Sequence, residues 1–456
     1  MNTHLRTLFS MTAYILGISA FGTTQLDFAN PRADMWWSAW LFKPGLLSGA
    51  DYILLLWAGM LLFSIVISPL NFRQQIGLPY IGLLSIIGIY LILGLLYNFF
   101  VYLLWKPYLF DLKIALWLSV PVILPIRLGF SYEELRRLIL RCLVLGCIGG
   151  LLDFGIALTT GRYSFPMMWG IPFPRELLPV MVIGILPIAF SISWRYLLAA
   201  AVIVGAECTS ALGRLNFAYF LAASTACVLA YVFFTLRRNA VRWMLAFGII
   251  GLFYGVQIIY VFGAVRTSLI EMKSDGLNTR QVQFQNLMMN GEHNLPLAVG
   301  KGLGATWYEY IPIPDDIYAV GDSLGNGVAA NMLEPIRFIF HTPLASMLYK
   351  FGIIGSMMLI SFVLVFYERC IRSLGYYPRA AVVDRLIACS CGPYLFFCLN
   401  WYGMEKDAML CSLIVAANVA RWNSWRLRRN CRNRRAMGME PVKILKKPRG
   451  VLAVTQ

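Results

Sequence analysis

Apolar residues in this chain come in long blocks rather than in alternation with polar ones. Residues 52–70, 78–100 and 338–367 carry little or no charge along their length. About 20 apolar residues in a helix cross the hydrocarbon core of a bilayer. Lipid offers no water to a free N–H or C=O, so each crossing segment is expected to be helical. Twelve segments show the pattern: 7–23, 51–69, 78–98, 109–125, 139–159, 177–193, 196–212, 216–236, 243–263, 343–367, 385–401 and 407–421. The apolar stretch near residues 8–21 has the length of a secretory signal, but every later segment continues the membrane pattern, so it is read as a retained first span. The expected architecture is all-α, a polytopic integral membrane protein of about 12 transmembrane helices with one large periplasmic loop before the tenth span. Residues 1–421 form a single transmembrane domain, 264–342 the large loop within it, and 422–456 a basic tail.

Composition strengthens this picture. Of 456 residues, 59% are hydrophobic and 13% charged, against roughly 25% charged in a globular protein. The net charge of +17 has the sign of a nucleic-acid binder, but its placement argues against one. Between residues 421 and 449 stand 8 Arg and 3 Lys against one acid, Glu440. Smaller clusters occupy short loops: Arg136, Arg137 and Arg141; Arg237, Arg238 and Arg242; Arg369, Arg372 and Arg379. That is the distribution of cytoplasmic loops beside a membrane, with contact to anionic lipid rather than nucleic acid. An even number of spans puts both termini on the cytoplasmic side with the basic tail. The loops at 70–77, 126–138, 237–242 and 368–384 then fall on that side, and all four carry Arg. The external loops at 24–50, 99–108, 160–176 and 402–406 are poorer in Arg and Lys. Tryptophans 36, 37, 40, 169 and 307 fit an interfacial belt.

The ten cysteines lie mostly inside apolar runs. Cys389 and Cys391 have no nearby His to complete a metal set, so the cysteines are read as small packing residues. Neither a resident metal nor a cofactor is expected. No internal repeat is evident, which weighs against an inverted-repeat transporter.

The long external loop holds the candidate chemistry, because loops of this length are usually functional. It contains His293, His341, Gly300, Gly302, Gly304, Asp315, Asp316 and Asp322. Pro335 is expected to open a short amphipathic helix through Phe340. Thr342 and Pro343 read as N-cap and first helical position of the tenth span. By this topology Arg214, Arg280 and His341 all face outward, with Arg337 one turn before His341. A charge at the rim of an apolar segment needs a partner and is a functional candidate. Plainer readings stand beside these. Arg214 pairs with Glu207 or snorkels, Arg280 is a solvated loop charge, His341 is a hydrogen-bonded interface residue, and Arg337 faces headgroups. Gly300-Lys301-Gly302-Leu303-Gly304 has the look of a phosphate loop, but it lacks the flanking strand and helix, and a glycine-rich turn is the simpler reading. Asp315-Asp316 is read as solvated rather than metal-binding.

The loop and the tenth span resemble the O-antigen ligase and O-antigen polymerase family of bacterial inner-membrane proteins. The resemblance rests on His341 with Gly352 and Gly355 in HTPLASMLYKFGIIG, on Pro296-Leu297 leading into GKGLG, on Arg280 sixteen residues before that proline, and on Arg214 after a Thr/Ser-rich turn. It covers roughly residues 205–360. The sequence departs from the family pattern in four places: Thr342 for Asn, Leu344 for an aromatic, Lys350 for a common acid, and Gly213 for the Ser before the arginine.

The resemblance implies transfer of an oligosaccharide from undecaprenyl diphosphate to a glycan or lipid A core acceptor at the periplasmic face, without metal. Arg214 and Arg280 would hold the diphosphate, His341 would act as base, and Arg337 would support them. Polymerase is the slightly favoured member, since the usual His-Asn pair is absent. A transporter or flippase of lipid-linked glycans is the other reading. It would call for charges along mid-span positions, whereas Lys113, Asp153 and Glu207 lie nearer span ends.

Overall fold

The computed structural model describes residues 2–19, 49–67, 77–97, 105–160, 167–168, 171–172, 282, 284–290, 294–308, 310–311, 336–337, 343–374, 383–384, 387–388, 391–392, 395, 405–436, 445–446 and 452–453. The four expected spans between residues 177 and 263 lie outside them.

Helices dominate the described residues. They are α1 (Asn2–Ser19), α2 (Gly49–Ile67), α3 (Leu78–Tyr97), α4 (Trp105–Arg127), α5 (Tyr132–Thr160), the short α6 (Asn294–Val299), α7 (Pro343–Leu374) and α8 (Glu405–Ala436). Six two-residue strands pair antiparallel: β1 (Met167–Met168) with β2 (Ile171–Pro172), β3 (Trp307–Tyr308) with β4 (Ile336–Arg337), and β5 (Leu445–Lys446) with β6 (Leu452–Ala453). Among the described residues, three helices are long and apolar enough to cross a membrane: Gly49–Ile67, Pro79–Leu96 and Ala345–Leu374. Their outer faces are apolar, with Leu55, Leu62 and Val66 exposed on α2 and Ile353, Ile354 and Met357 exposed on α7. Lipid as solvent favours such a surface.

Several helices run past their apolar stretches. α5 begins at Tyr132 rather than near 139, because Ser131 and Glu134 form a capping box. The Ser131 amide donates to the Glu134 carboxylate at 2.8 Å, and the Glu134 amide donates back to the Ser131 hydroxyl at 3.3 Å. Burial would raise the pKa of Glu134, but these hydrogen bonds and the Arg6 guanidinium outweigh it and hold the carboxyl below its ordinary value. α8 continues through the expected boundary at 421 to Ala436.

Side-chain contacts fix the relative direction of the helices. Arg6 meets Glu134 and Cys142 donates to the Ala13 carbonyl, so α1 and α5 run parallel. Asp51 meets Lys113 at 2.8 Å and Arg127 donates to the Ser64 carbonyl at 2.7 Å, so α2 and α4 run parallel to each other. α7 runs against α3: Tyr80 stacks near Phe366, while Tyr90 meets Phe351. Thus α1 and α5 share one direction, α2 and α4 share one, and α3 and α7 oppose each other.

α4 is the hub, packed against α2, α3 and α8. Trp57, Trp117 and Phe9 stack in its core, with Trp57 and Trp117 centroids 5.9 Å apart in a T-shaped pair. Polar ties cross the apolar interior: Trp57 Nε1 donates to Thr12 Oγ1 at 2.8 Å, and Ser412 Oγ to the Trp117 carbonyl at 2.6 Å. Such bonds join helices where apolar burial alone gives little drive.

Two sequence expectations are corrected. Residues 336–337 are strand, not part of a helix, because they pair with 307–308. Arg421, the first Arg of the basic run 421–449, is fully buried and bonded to α7 and to Asp384 rather than set among exposed basic residues.

Candidate functional site

Arg214, Arg280 and His341 lie outside the described residues, as do Asp315, Asp316 and Asp322. Arg337 is placed by its backbone, in β4 opposite Trp307. α7 begins at Pro343, as its sequence predicts.

α7 is not one continuous helix. Gly352 breaks it, with φ 65° and ψ −176°. A break strands the carbonyls of the preceding turn, which lose their i+4 donors. The Gly300–Gly304 loop supplies replacements. Lys301 N donates to Tyr349 O and Gly302 N to Lys350 O, each at 2.9 Å. Leu303 N donates at 2.9 Å to Tyr90 O on α3. Gly304 N donates at 2.5 Å to the Asp111 carboxylate on α4. Four consecutive amides are therefore engaged by protein acceptors. A phosphate loop keeps such amides for its ligand, so this segment is a docking turn.

Glycine is required here by approach as well as by angle. A Cβ on Gly300 would come within 3.0 Å of Gly352 N, and one on Gly302 within 3.0 Å of Gly94 N. Loop, α3 and α7 thus meet backbone to backbone. Tyr90 completes the joint: its hydroxyl donates to the Val299 carbonyl at 2.7 Å, covering the end of α6, and its ring packs at Gly355. Tyr349 Oη donates to the Thr306 carbonyl at 2.7 Å. The half-buried Lys301 ammonium lies 4.9 Å from the Tyr349 ring centroid, and burial lowers its pKa.

Beneath the loop lies a buried ion pair. Lys350 Nζ contacts both Asp111 oxygens at 2.7 Å, with the side chains 3% and 1% exposed. Asp111 thus supplies the opposite charge that Lys350, inside an apolar helix, needs. Sequence reading passed over Asp111, since nothing local links it to a residue 239 positions away. The signal available was an acid inside an apolar segment, which calls for a partner.

After the loop the chain is clasped by two asparagines on the helical stretch 284–290. Asn286 exchanges a pair of hydrogen bonds with the Ile311 backbone, both 2.8 Å. Asn290 does the same with Tyr308, at 2.6 and 2.8 Å. Spaced four apart on one helix face, they extend the β3 strand as a second ladder would. Among the described residues no group of three or more His, Cys, Asp or Glu is placed to hold a metal.

The arrangement is a platform at one end of the bundle, to which β4, carrying Arg337, is tied by its pairing with Trp307 and Tyr308. No protein-family model matches the chain, and neither the curated proteins nor the solved structures give a match.

Proposed function

We propose that the chain is a multi-pass bacterial inner-membrane glycosyltransferase of about twelve spans with both termini cytoplasmic. It transfers an oligosaccharide from a polyprenyl-diphosphate carrier to a glycan acceptor at the periplasmic face. The observation that carries this reading is the docking of GKGLG on the Gly352 break, which joins two separated motifs of the resemblance at one end of the bundle.

A lipid-linked donor suits a compartment without a nucleotide-sugar pool. Arg214 and Arg280 hold the diphosphate, for which a planar, permanently charged guanidinium is well matched. They stabilise the charge that develops as the sugar–phosphate bond breaks. The acceptor hydroxyl oxygen attacks the anomeric carbon, and His341 takes its proton. The bonding pair leaves with the diphosphate, and a single displacement inverts the anomeric centre. An imidazole of pKa about 6.5 is largely neutral at pH 7, and neighbouring arginines favour that form. Arg337 supports the site from β4. Polymerisation of repeat units is preferred over transfer to lipid A core.

The test is the glycan profile of a deletion strain complemented with wild type or His341→Ala. Single repeat units where long chains stood, unrelieved by His341→Ala at normal protein level, are the expected result. Long chains that form on the carrier but never reach lipid A core assign a ligase. An unchanged profile in the deletion strain removes the reading in favour of transport of lipid-linked glycans. Arg280→Lys keeps charge but loses the two-pronged hydrogen bond, and activity is expected to fall about tenfold or more; near-normal transfer speaks against bidentate phosphate holding.

A further inference from the structure

The Asp111 carboxylate gathers three parts of the chain. It lies on α4, it accepts Lys350 from α7 two residues before the break, and it accepts the Gly304 amide from the loop. Cohesion alone is a poor reason for such a group. A buried ion pair is seldom better than apolar residues of the same volume, and both side chains here are almost fully enclosed.

The connectivity supplies a better reason. Three residues after Gly304 the chain reaches Trp307, which pairs with Arg337. From Arg337 the chain passes position 341, enters α7 at Pro343 and returns to Asp111 at Lys350. One carboxylate therefore holds α7 through the Lys350 ammonium and the β3–β4 pair through Gly304.

We propose that Asp111 is a positioning residue, and that it fixes the 300–306 loop, with the β3–β4 pair that carries Arg337, against the bundle. Asp111 does this by accepting the Gly304 amide. Lys350 supplies the opposite charge beside it. The tie itself stands on geometry; its consequence for catalysis rests on the glycosyltransferase reading.

Two neutral pairs separate positioning from cohesion. D111L/K350M fills the space without charge and removes the acceptor for Gly304. D111N/K350M also removes charge but keeps an oxygen for that amide. Each is combined with Thr306→Cys, a buried reporter beside the joint. Labelling by a membrane-impermeant maleimide is read against the same protein without the added cysteine. Glycan transfer is followed in cells at matched protein levels.

With the native pair the reporter is expected to be protected. In D111L/K350M labelling rises about tenfold and transfer falls about tenfold, the scale of one lost buried hydrogen bond to a charged group. D111N/K350M restores both to within about threefold of native. Equal protection in the two neutral pairs overturns the tie. Raised labelling with transfer intact, where His341→Ala abolishes transfer, overturns the positioning role and leaves the glycosyltransferase reading standing. If His341→Ala also leaves transfer intact, that reading fails, and the labelling still decides whether the tie exists.

Discussion

Gly352→Ala is expected to destabilise the folded protein by about 3 kcal/mol and to release the 300–306 loop. Two costs add. An alanine at φ 65° sits in the left-handed region, which disfavours a Cβ by roughly 1–2 kcal/mol. The new methyl also meets Gly300 N, the Val299 carbonyl carbon and the Ala298 oxygen at less than 3.0 Å. These are backbone atoms, so no rotamer change relieves the contact, and overpacking of this kind costs about 1–3 kcal/mol. Gly300→Ala presses on the same joint from the other side and is expected to match it. Gly59 and Gly88 supply the contrast. A Cβ on either meets nothing within 4 Å, and both lie inside helices. Alanine there is expected to be neutral or stabilising by up to about 1 kcal/mol. Thermal unfolding in detergent, with protease sensitivity of the loop as a second measure, tests the set. Equal stability of Gly352→Ala and Gly59→Ala rules out the docked joint.

The contrast between these glycines marks the line between what is legible in the sequence and what is not. Helices α2 and α3 were legible because lipid leaves a long apolar run no other way to satisfy its backbone. The start of α7 was legible because Pro343 is preorganised for a first turn. Both signals are local. Gly300 and Gly352 were each visible as motif members, but their contact depends on two segments separated by some fifty residues. The strand at Ile336–Arg337 was missed for the same reason: its hydrogen bonds go to Trp307 and Tyr308, not to its own neighbours. Lys350 read as a departure from a family pattern, and its meaning appeared only with Asp111 beside it. Arg214, Arg280 and His341 were chosen by residue type and expected side of the membrane, and they lie outside the described residues. For the site, then, the sequence offered candidate groups, and the structure offers the platform to which β4, carrying Arg337, is paired.

Arg421 carries the same lesson to the other end of the bundle, and a second large effect is expected there. A net-charge count treats it as one of many basic-tail residues. The structure makes it a fully buried junction. Its Nε donates to Ser373 Oγ at 2.9 Å, Nη1 to the Asp384 carbonyl at 3.0 Å, and Nη2 to the Cys370 carbonyl at 3.0 Å and Asn418 Oδ1 at 2.5 Å. Its guanidinium lies 5.4 Å from the Tyr132 ring centroid. Tyr132 in turn donates to Asp384, which also pairs with Arg136. One side chain therefore joins the last turns of α7, Asp384, α8 and the start of α5. Arg421→Met leaves several buried acceptors without donors and is expected to cost about 3–5 kcal/mol, the scale of breaking a buried charged network. Arg421→Lys keeps the charge but not the planar fork, so one ammonium cannot reach acceptors spread over three elements, and a loss of about 2 kcal/mol is expected. Arg137, exposed on α5, provides the control: Arg137→Gln is expected to change stability by no more than about 0.5 kcal/mol. Thermal unfolding of the three purified variants in one detergent orders them. If Arg421→Met unfolds with Arg137→Gln, the buried junction has no energetic role, and Arg421 acts only as one more positive charge beside the membrane.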